Sequence, residues 1–88
     1  MVKAIRITET GKANVMKFVD VELKSLAPNE VLIKNKAIGL NYIDVYHRSG
    51  TYPLPLPTGI GLEAAGIIED VGSAVTEFKV GDRVAHAA

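Results

Sequence analysis

Three prolines at alternate positions, Pro53, Pro55 and Pro57, fix what the middle of this chain cannot be. Each removes a backbone donor and locks its own φ, so Tyr52 to Pro57 cannot serve as a central strand. The tract predicts an extended, polyproline-like passage. Polar and aromatic residues crowd around it, from Gly39 to Gly66, whereas the stretches on either side read as ordinary β-scaffold. Loops held by a rigid scaffold carry most functional groups, so any site is expected here.

The scaffold follows from side-chain period. Val2 to Ile7 is a β-branched run that ends in the turn-prone TETGKAN. In Met16 to Leu23, Val19, Val21 and Leu23 alternate with Asp20 and Glu22, the period of a half-buried strand. Pro28 sets a turn at 27–30. Glu30 to Leu40 follows as a strand, with Val31 and Ile33 on one face and Lys34 and Lys36 on the other. The period then changes. Ile43, Tyr46 and Tyr42 fall at helical spacing, with Asn41 as N-cap and Gly50 just past the end. Beyond the prolines, Ala64 to Val71 returns to β, Gly72-Ser73 turns, and Val80 to Arg83 leads into a last short strand at Val84. About five short strands with one helix near 41–49 predict a mainly β fold, a barrel or curled sheet.

Composition narrows the function. Eighty-eight residues make one domain at most, burying only about 60–65% of the surface its unfolded chain exposes. Ten basic residues balance ten acidic ones and are mixed along the chain. No concentrated basic surface exists for nucleic acid or an anionic membrane. There is no cysteine, which excludes disulfides, thiolate zinc sites and cysteine nucleophiles. The N-terminus has no apolar signal core, and no run approaches the ~20 residues of a membrane span. A cytoplasmic location is expected.

Three constellations could carry chemistry. Gly59-Ile60-Gly61-Leu62-Glu63-Ala64 fits the dinucleotide pattern G-x-G-x-x-G/A, but a phosphate cradle needs a strand before it and a helix after it. Here prolines precede and a β-like segment follows, so the glycines read as permitting tight bends. A metal site would draw on His47, His86, Asp44 and Glu63. Neither histidine has a partner at ligand spacing, and His47 reads as solvent-facing. The third is Tyr42, Tyr46 and Tyr52, which can be core and rim aromatics with satisfied hydroxyls. Alternatively, Asn41, Asp44 and Arg48 repeat at i, i+3 and i+7 beside them. Such a stripe would be costly to bury without ligands, and it suits a pocket wall for a flat, polar ring.

The block N-Y-I-D-x-Y-x-R-S-G-x-Y (41–52), the tract G-x-E-A-A-G (61–66) and Gly81-Asp82-Arg83-Val84 resemble the NADPH-dependent quinone oxidoreductases of the medium-chain dehydrogenase/reductase superfamily. The resemblance runs the length of the chain. It implies a GroES-like catalytic domain, a partly open β-barrel, truncated within residues 1–88. Zinc alcohol dehydrogenases of that superfamily place a cysteine where this chain has Asn41 and a histidine where it has Leu62, so the resemblance is to the zinc-free branch, with no metal. It further implies that Asn41, Tyr42, Asp44 and Tyr46 face the cofactor. Tyr46 and Tyr52 would line the quinone pocket, with Tyr52 offering its phenol to the carbonyl oxygen and Asn41 and Tyr52 acting at the catalytic centre. The reaction implied is hydride transfer from NADPH to a quinone or enone.

Family members extend well past this length into a Rossmann domain that carries the phosphate-binding helix. Without it the chain is not expected to hold NADPH or to turn over alone. Two arrangements are therefore expected. One is the front of a split enzyme that works with a complementary Rossmann fragment. The other is a non-catalytic GroES-like module that forms a homo-oligomer through exposed strand edges.

Overall fold

The computed structural model describes Val2–Ala87. Those residues form two compact units, one from the chain through Leu23 with Leu40–Gly61, the other from Lys24–Gly39 with the chain from Leu62 onward. Each unit holds one three-stranded antiparallel sheet.

In the first unit the β-branched run forms β1 (Val2–Ile7) at the centre of its sheet. It pairs with β2 (Lys17–Val21) in the register Val2↔Val21 to Arg6↔Lys17. The expected simple turn between them contains a short 3-10 helix, Ala13–Val15, which tucks Val15 into the interior. Ile7 is fully buried and anchors this small core. Lys3 meets Asp20 across the strands at 2.7 Å and lies 5.9 Å from the Phe18 ring centroid. Both charges are about half exposed, so the pair fixes register more than it stabilises. The helix α1 (Tyr42–Ser49) follows. Neither strand nor helix forms through the proline tract, whose Leu56–Pro57 bond is cis. Then the two-residue β4 (Thr58–Gly59) pairs with the end of β1.

In the second unit β5 (Glu63–Val71) lies between β3 (Val31–Gly39) and β6 (Arg83–Ala87). Along β5 the period-2 pattern is clean: Ala64, Gly66 and Ile68 are buried in alternation. Glycine is required at 66, because a Cβ there would collide with the Lys34 carbonyl of the neighbouring strand. The expected alternation of β3 holds only in part. Val31, Leu32 and Ile33 are all half-buried, and from Lys34 to Ile38 every side chain is exposed. Two irregularities interrupt its ladder with β5. The ladder slips once between Leu32 and Ile33 and again between Asn35 and Ala37. The first leaves Glu69 of β5 as the extra residue and the second leaves Lys36 of β3, so only the second shifts which face the following β3 residues present. At the far end of β5, the Gly81 N–H donates to Ile68 O and the Ile68 N–H to Asp82 O, both at 2.9 Å, tying the 79–82 turn to the sheet.

The mainly β architecture with one short helix is as the sequence predicts, and neither sheet closes on itself. Among the described residues no helix is long and apolar enough to cross a membrane.

Candidate functional site on the helix and its flanks

The residues singled out from 41 to 52 sit on α1 and its two ends. Asn41 is extended (φ −128°, ψ 153°) and opens the helix as its N-cap. The Asn41 N–H donates to Asp44 Oδ2 at 3.0 Å, and the Asp44 N–H donates to Asn41 O at 3.0 Å. A carboxylate three residues into the helix thus satisfies a donor that no backbone group could reach. The consequence for Asp44 is burial: it is only 4% exposed. Its second oxygen, Oδ1, has no hydrogen-bond partner.

The other end is closed by Gly50 in the left-handed region (φ 90°), which a side chain would strain. Its N–H donates to Tyr46 O at 3.1 Å, and the Tyr52 N–H reaches the same carbonyl at 3.2 Å. Ser49 Oγ adds a third contact to it at 3.3 Å and lies 2.9 Å from Thr51 Oγ1. Tying Tyr52 back to Tyr46 brings the two rings edge to face, with centroids 5.3 Å apart and planes at 82°. That is a favoured aromatic geometry.

Exposure removes the core placement from the readings of the tyrosines and leaves rim and pocket wall. Tyr42 is 82% exposed, Tyr52 53% and Tyr46 39%, so none is a core residue. Tyr42 and Asn41 line an open cavity of about 300 Å³ with Leu40 and Val45 at the start of the helix. Asn41 with Asp44, and Tyr46 with Tyr52, are therefore brought together. The expected single stripe of Asn41, Asp44 and Arg48 is not formed. Asp44 turns inward, and Arg48 Nε donates to Gly11 O at 3.2 Å. That partner, 37 residues away, left no local signal. The Ser49–Thr51 hydroxyl pair was also missed, although a serine and a threonine flanking the helix-ending glycine could have suggested it.

His47 is half-buried, where the sequence predicted it facing solvent, and His86 is exposed. Among the described residues no three His, Asp or Glu side chains gather as metal ligands would. The glycine pattern at 59–64 runs from β4 directly into β5. With no helix there, it offers no helix N-terminus to a phosphate. Away from the helix, the 79–82 turn alters the acidity of Asp82. The Lys79 N–H, and then its ammonium, bond the Asp82 carboxylate and hold it below its ordinary value.

A mainly β scaffold with a capped, tyrosine-bearing helix defines a class. The alcohol dehydrogenase GroES-like domain profile matches residues 27–88, and the chain belongs to that family. Within it, the chain corresponds to the N-terminal part of quinone oxidoreductases. It is 52% identical over 88 residues to the quinone oxidoreductase of Pseudomonas aeruginosa, covering 99% of this chain and 27% of that protein. The crystal structure of a Pseudomonas syringae pv. Tomato quinone oxidoreductase superposes with a TM-score of 0.96 at 52% identity, over 100% of this chain and 27% of that one. An Escherichia coli quinone oxidoreductase complexed with NADPH gives 0.95 at 47% identity, over 98% and 27%. The chain thus spans about a quarter of the length of the relatives it matches.

Proposed function

We propose that these residues form the acceptor-side wall of a quinone oxidoreductase, which passes hydride from NADPH to a quinone or enone. The observation that carries this reading is the Tyr46–Tyr52 pair: two half-exposed phenol rings fixed at right angles by a shared carbonyl. Exposed aromatics held this firmly suit a flat ring substrate better than they suit stability. The E. coli relative's complex with NADPH supplies the choice of cofactor.

Reduced nicotinamide provides the hydride when bound, and the protein's part is placement and polarity. Asn41, Tyr42 and Tyr46 form the cofactor-facing side of the wall, and Asp44, assigned to the same side by the resemblance, lies buried behind it. Asn41 presents its amide there, and Asp44 fixes the N-cap that aims it. Tyr46 and Tyr52 flank the acceptor ring. The Tyr52 phenol donates to the acceptor carbonyl oxygen, where negative charge accumulates as hydride arrives. By the resemblance, Asn41 and Leu62 occupy the sequence positions at which a zinc enzyme has a cysteine and a histidine, and in this reading the phenol takes the polarising role. The 88 residues alone hold NADPH weakly and do not turn over. The dinucleotide-binding part must come from elsewhere, on the same or another polypeptide, in a cytoplasmic setting.

The test is to join these residues to the remaining three-quarters of the P. aeruginosa relative. The hybrid is expected to oxidise NADPH with a quinone at a rate comparable to the parent enzyme, and the 88 residues alone to show none. A folded hybrid with only background oxidation would refute the proposal.

A second reading, that the chain is a self-associating GroES-like module, has one observation of its own. The β3–β5–β6 sheet leaves β3 and β6 as edges, and Ile38 on β3 is 73% exposed. Unpaired edges with apolar side chains recruit other chains. Sedimentation velocity across a hundredfold range of concentration is expected to show a growing dimer or larger species; a constant monomer contradicts it.

A further inference from the structure

We propose that Arg48 is a positioning residue for the Tyr46–Tyr52 pair, acting through a two-way clamp on the backbone of Gly11. The clamp is independent of what the pocket binds, whereas its effect on turnover rests on the quinone-reductase reading above.

The Gly11 N–H donates to Arg48 O at 3.0 Å, and Arg48 Nε donates to Gly11 O at 3.2 Å. One residue of the β1–β2 loop therefore engages both the main chain and the guanidinium of a single helical residue. Arg48 is half-buried, which strengthens a charge-assisted bond relative to one in water. Its positive charge also sits in the last helical turn, where the helix dipole favours it. On one side of Arg48 in sequence lies Tyr46, whose carbonyl collects the N–H groups of Gly50 and Tyr52. On the other lies the Gly50 turn, with Thr10, the loop residue next to Gly11, packed about 3.2 Å from where a Gly50 side chain would begin. The loop thus holds the helix end at Arg48 and at Gly50, and the helix end holds Tyr52 against Tyr46.

Within α1 the buried residue is Asp44, at the opposite end. Both tyrosines are exposed enough that packing does not fix their rings. Removing the clamp frees the helix end to fray, and the perpendicular ring geometry goes with it. Displacing a wall residue by about an ångström is enough to slow an oriented reaction markedly.

The 88-residue chain contains three tyrosines and no tryptophan, so its near-ultraviolet circular dichroism reports mainly on tyrosine. Arg48→Met is expected to lose most of that band, together with the Tyr46–Tyr52 ring-to-ring nuclear Overhauser contacts, while the far-ultraviolet β signal remains. Arg48→Lys, which keeps a donor within reach of Gly11 O, is expected to retain much of both. Unchanged ring contacts in folded Arg48→Met overturn the proposal. If Arg48→Met does not fold, amide exchange in the unsubstituted chain decides. The Gly11 and Tyr52 amides are expected to share one protection factor, and Arg48→Lys to accelerate both by about tenfold. A Tyr52 amide protected independently of Gly11 overturns the clamp. In the hybrid enzyme, Arg48→Met is expected to lower kcat about tenfold with little change in KM, with partial recovery in Arg48→Lys. Disrupted rings with full turnover leave the clamp standing and refute the pocket reading. Intact rings with lost turnover refute the clamp.

Discussion

The β3–β5–β6 sheet and the α1 region are held together by different forces. In the sheet, Ala64 and Ile68 are buried in alternation, and Gly66 lies against the Lys34 carbonyl. Shape and apolar volume specify that unit. Around α1 the buried side chain is a carboxylate, and the helix ends are set by Asn41–Asp44, by the Tyr46 carbonyl and by Gly11–Arg48. There, directed hydrogen bonds specify the structure, and the aromatic rings remain largely exposed. Much of the aromatic surface stays open, because the helix ends are held by backbone and polar groups rather than by the rings. The cost is that single polar deletions reach the site, whereas in the sheet only changes of volume matter.

The contrast can be broken by substitution. The largest effect is expected at Gly66→Val, where the added side chain runs into backbone that cannot yield. A loss of about 3 kcal/mol or more, or failure to fold, should appear in urea denaturation. Next comes Ile68→Ala, expected to cost roughly 2–4 kcal/mol by the same measurement, with the Tyr46–Tyr52 ring contacts unaltered. Loss of those contacts in a folded Ile68→Ala chain would show that the two regions are not specified separately.

Asp44→Ala should cost less, about 1 kcal/mol, because the lost N-cap bond is partly offset by removing an unpartnered buried oxygen. Its signature is local: faster exchange at the Asn41 amide, with the β5 amides unchanged. The smallest effect belongs to Asp82. Its folded pKa lies below its unfolded value because the Lys79 N–H and ammonium favour the charged form. The stability it adds is therefore complete above the ordinary aspartate value and disappears as pH falls through the lowered one. A shallow fall in melting temperature below about pH 4 is expected, and Asp82→Asn should flatten it. A slope of opposite sign would contradict the assignment.

What the sequence made legible follows the same division. Local rules sufficed for β1, where the β-branched run and the strand coincide at Val2–Ile7, and for α1, where Asn41 and Gly50 mark both ends. They also rejected the glycine pattern at 59–64, since a strand follows it. The slips in the β3–β5 ladder were hidden, because register belongs to a pair of strands and not to one. Helical spacing set Asp44 and Arg48 on one polar face, but it said nothing of the partners that turn them elsewhere. One Asp44 oxygen accepts from the backbone three residues behind it, and Arg48 bonds a loop reached only in the folded chain. The tyrosines carried part of the resemblance to quinone oxidoreductases, yet their perpendicular arrangement, beside the bond from the Tyr52 N–H to the Tyr46 carbonyl, was not in the spacing.

The most direct measurement is NADPH oxidation by the hybrid enzyme at saturating quinone, compared between Tyr52 and Tyr52→Phe. That change removes one hydroxyl and leaves the ring pair intact. If the phenol steadies charge on the acceptor oxygen, kcat should fall about 10- to 100-fold with KM nearly constant. An unchanged kcat would contradict the account.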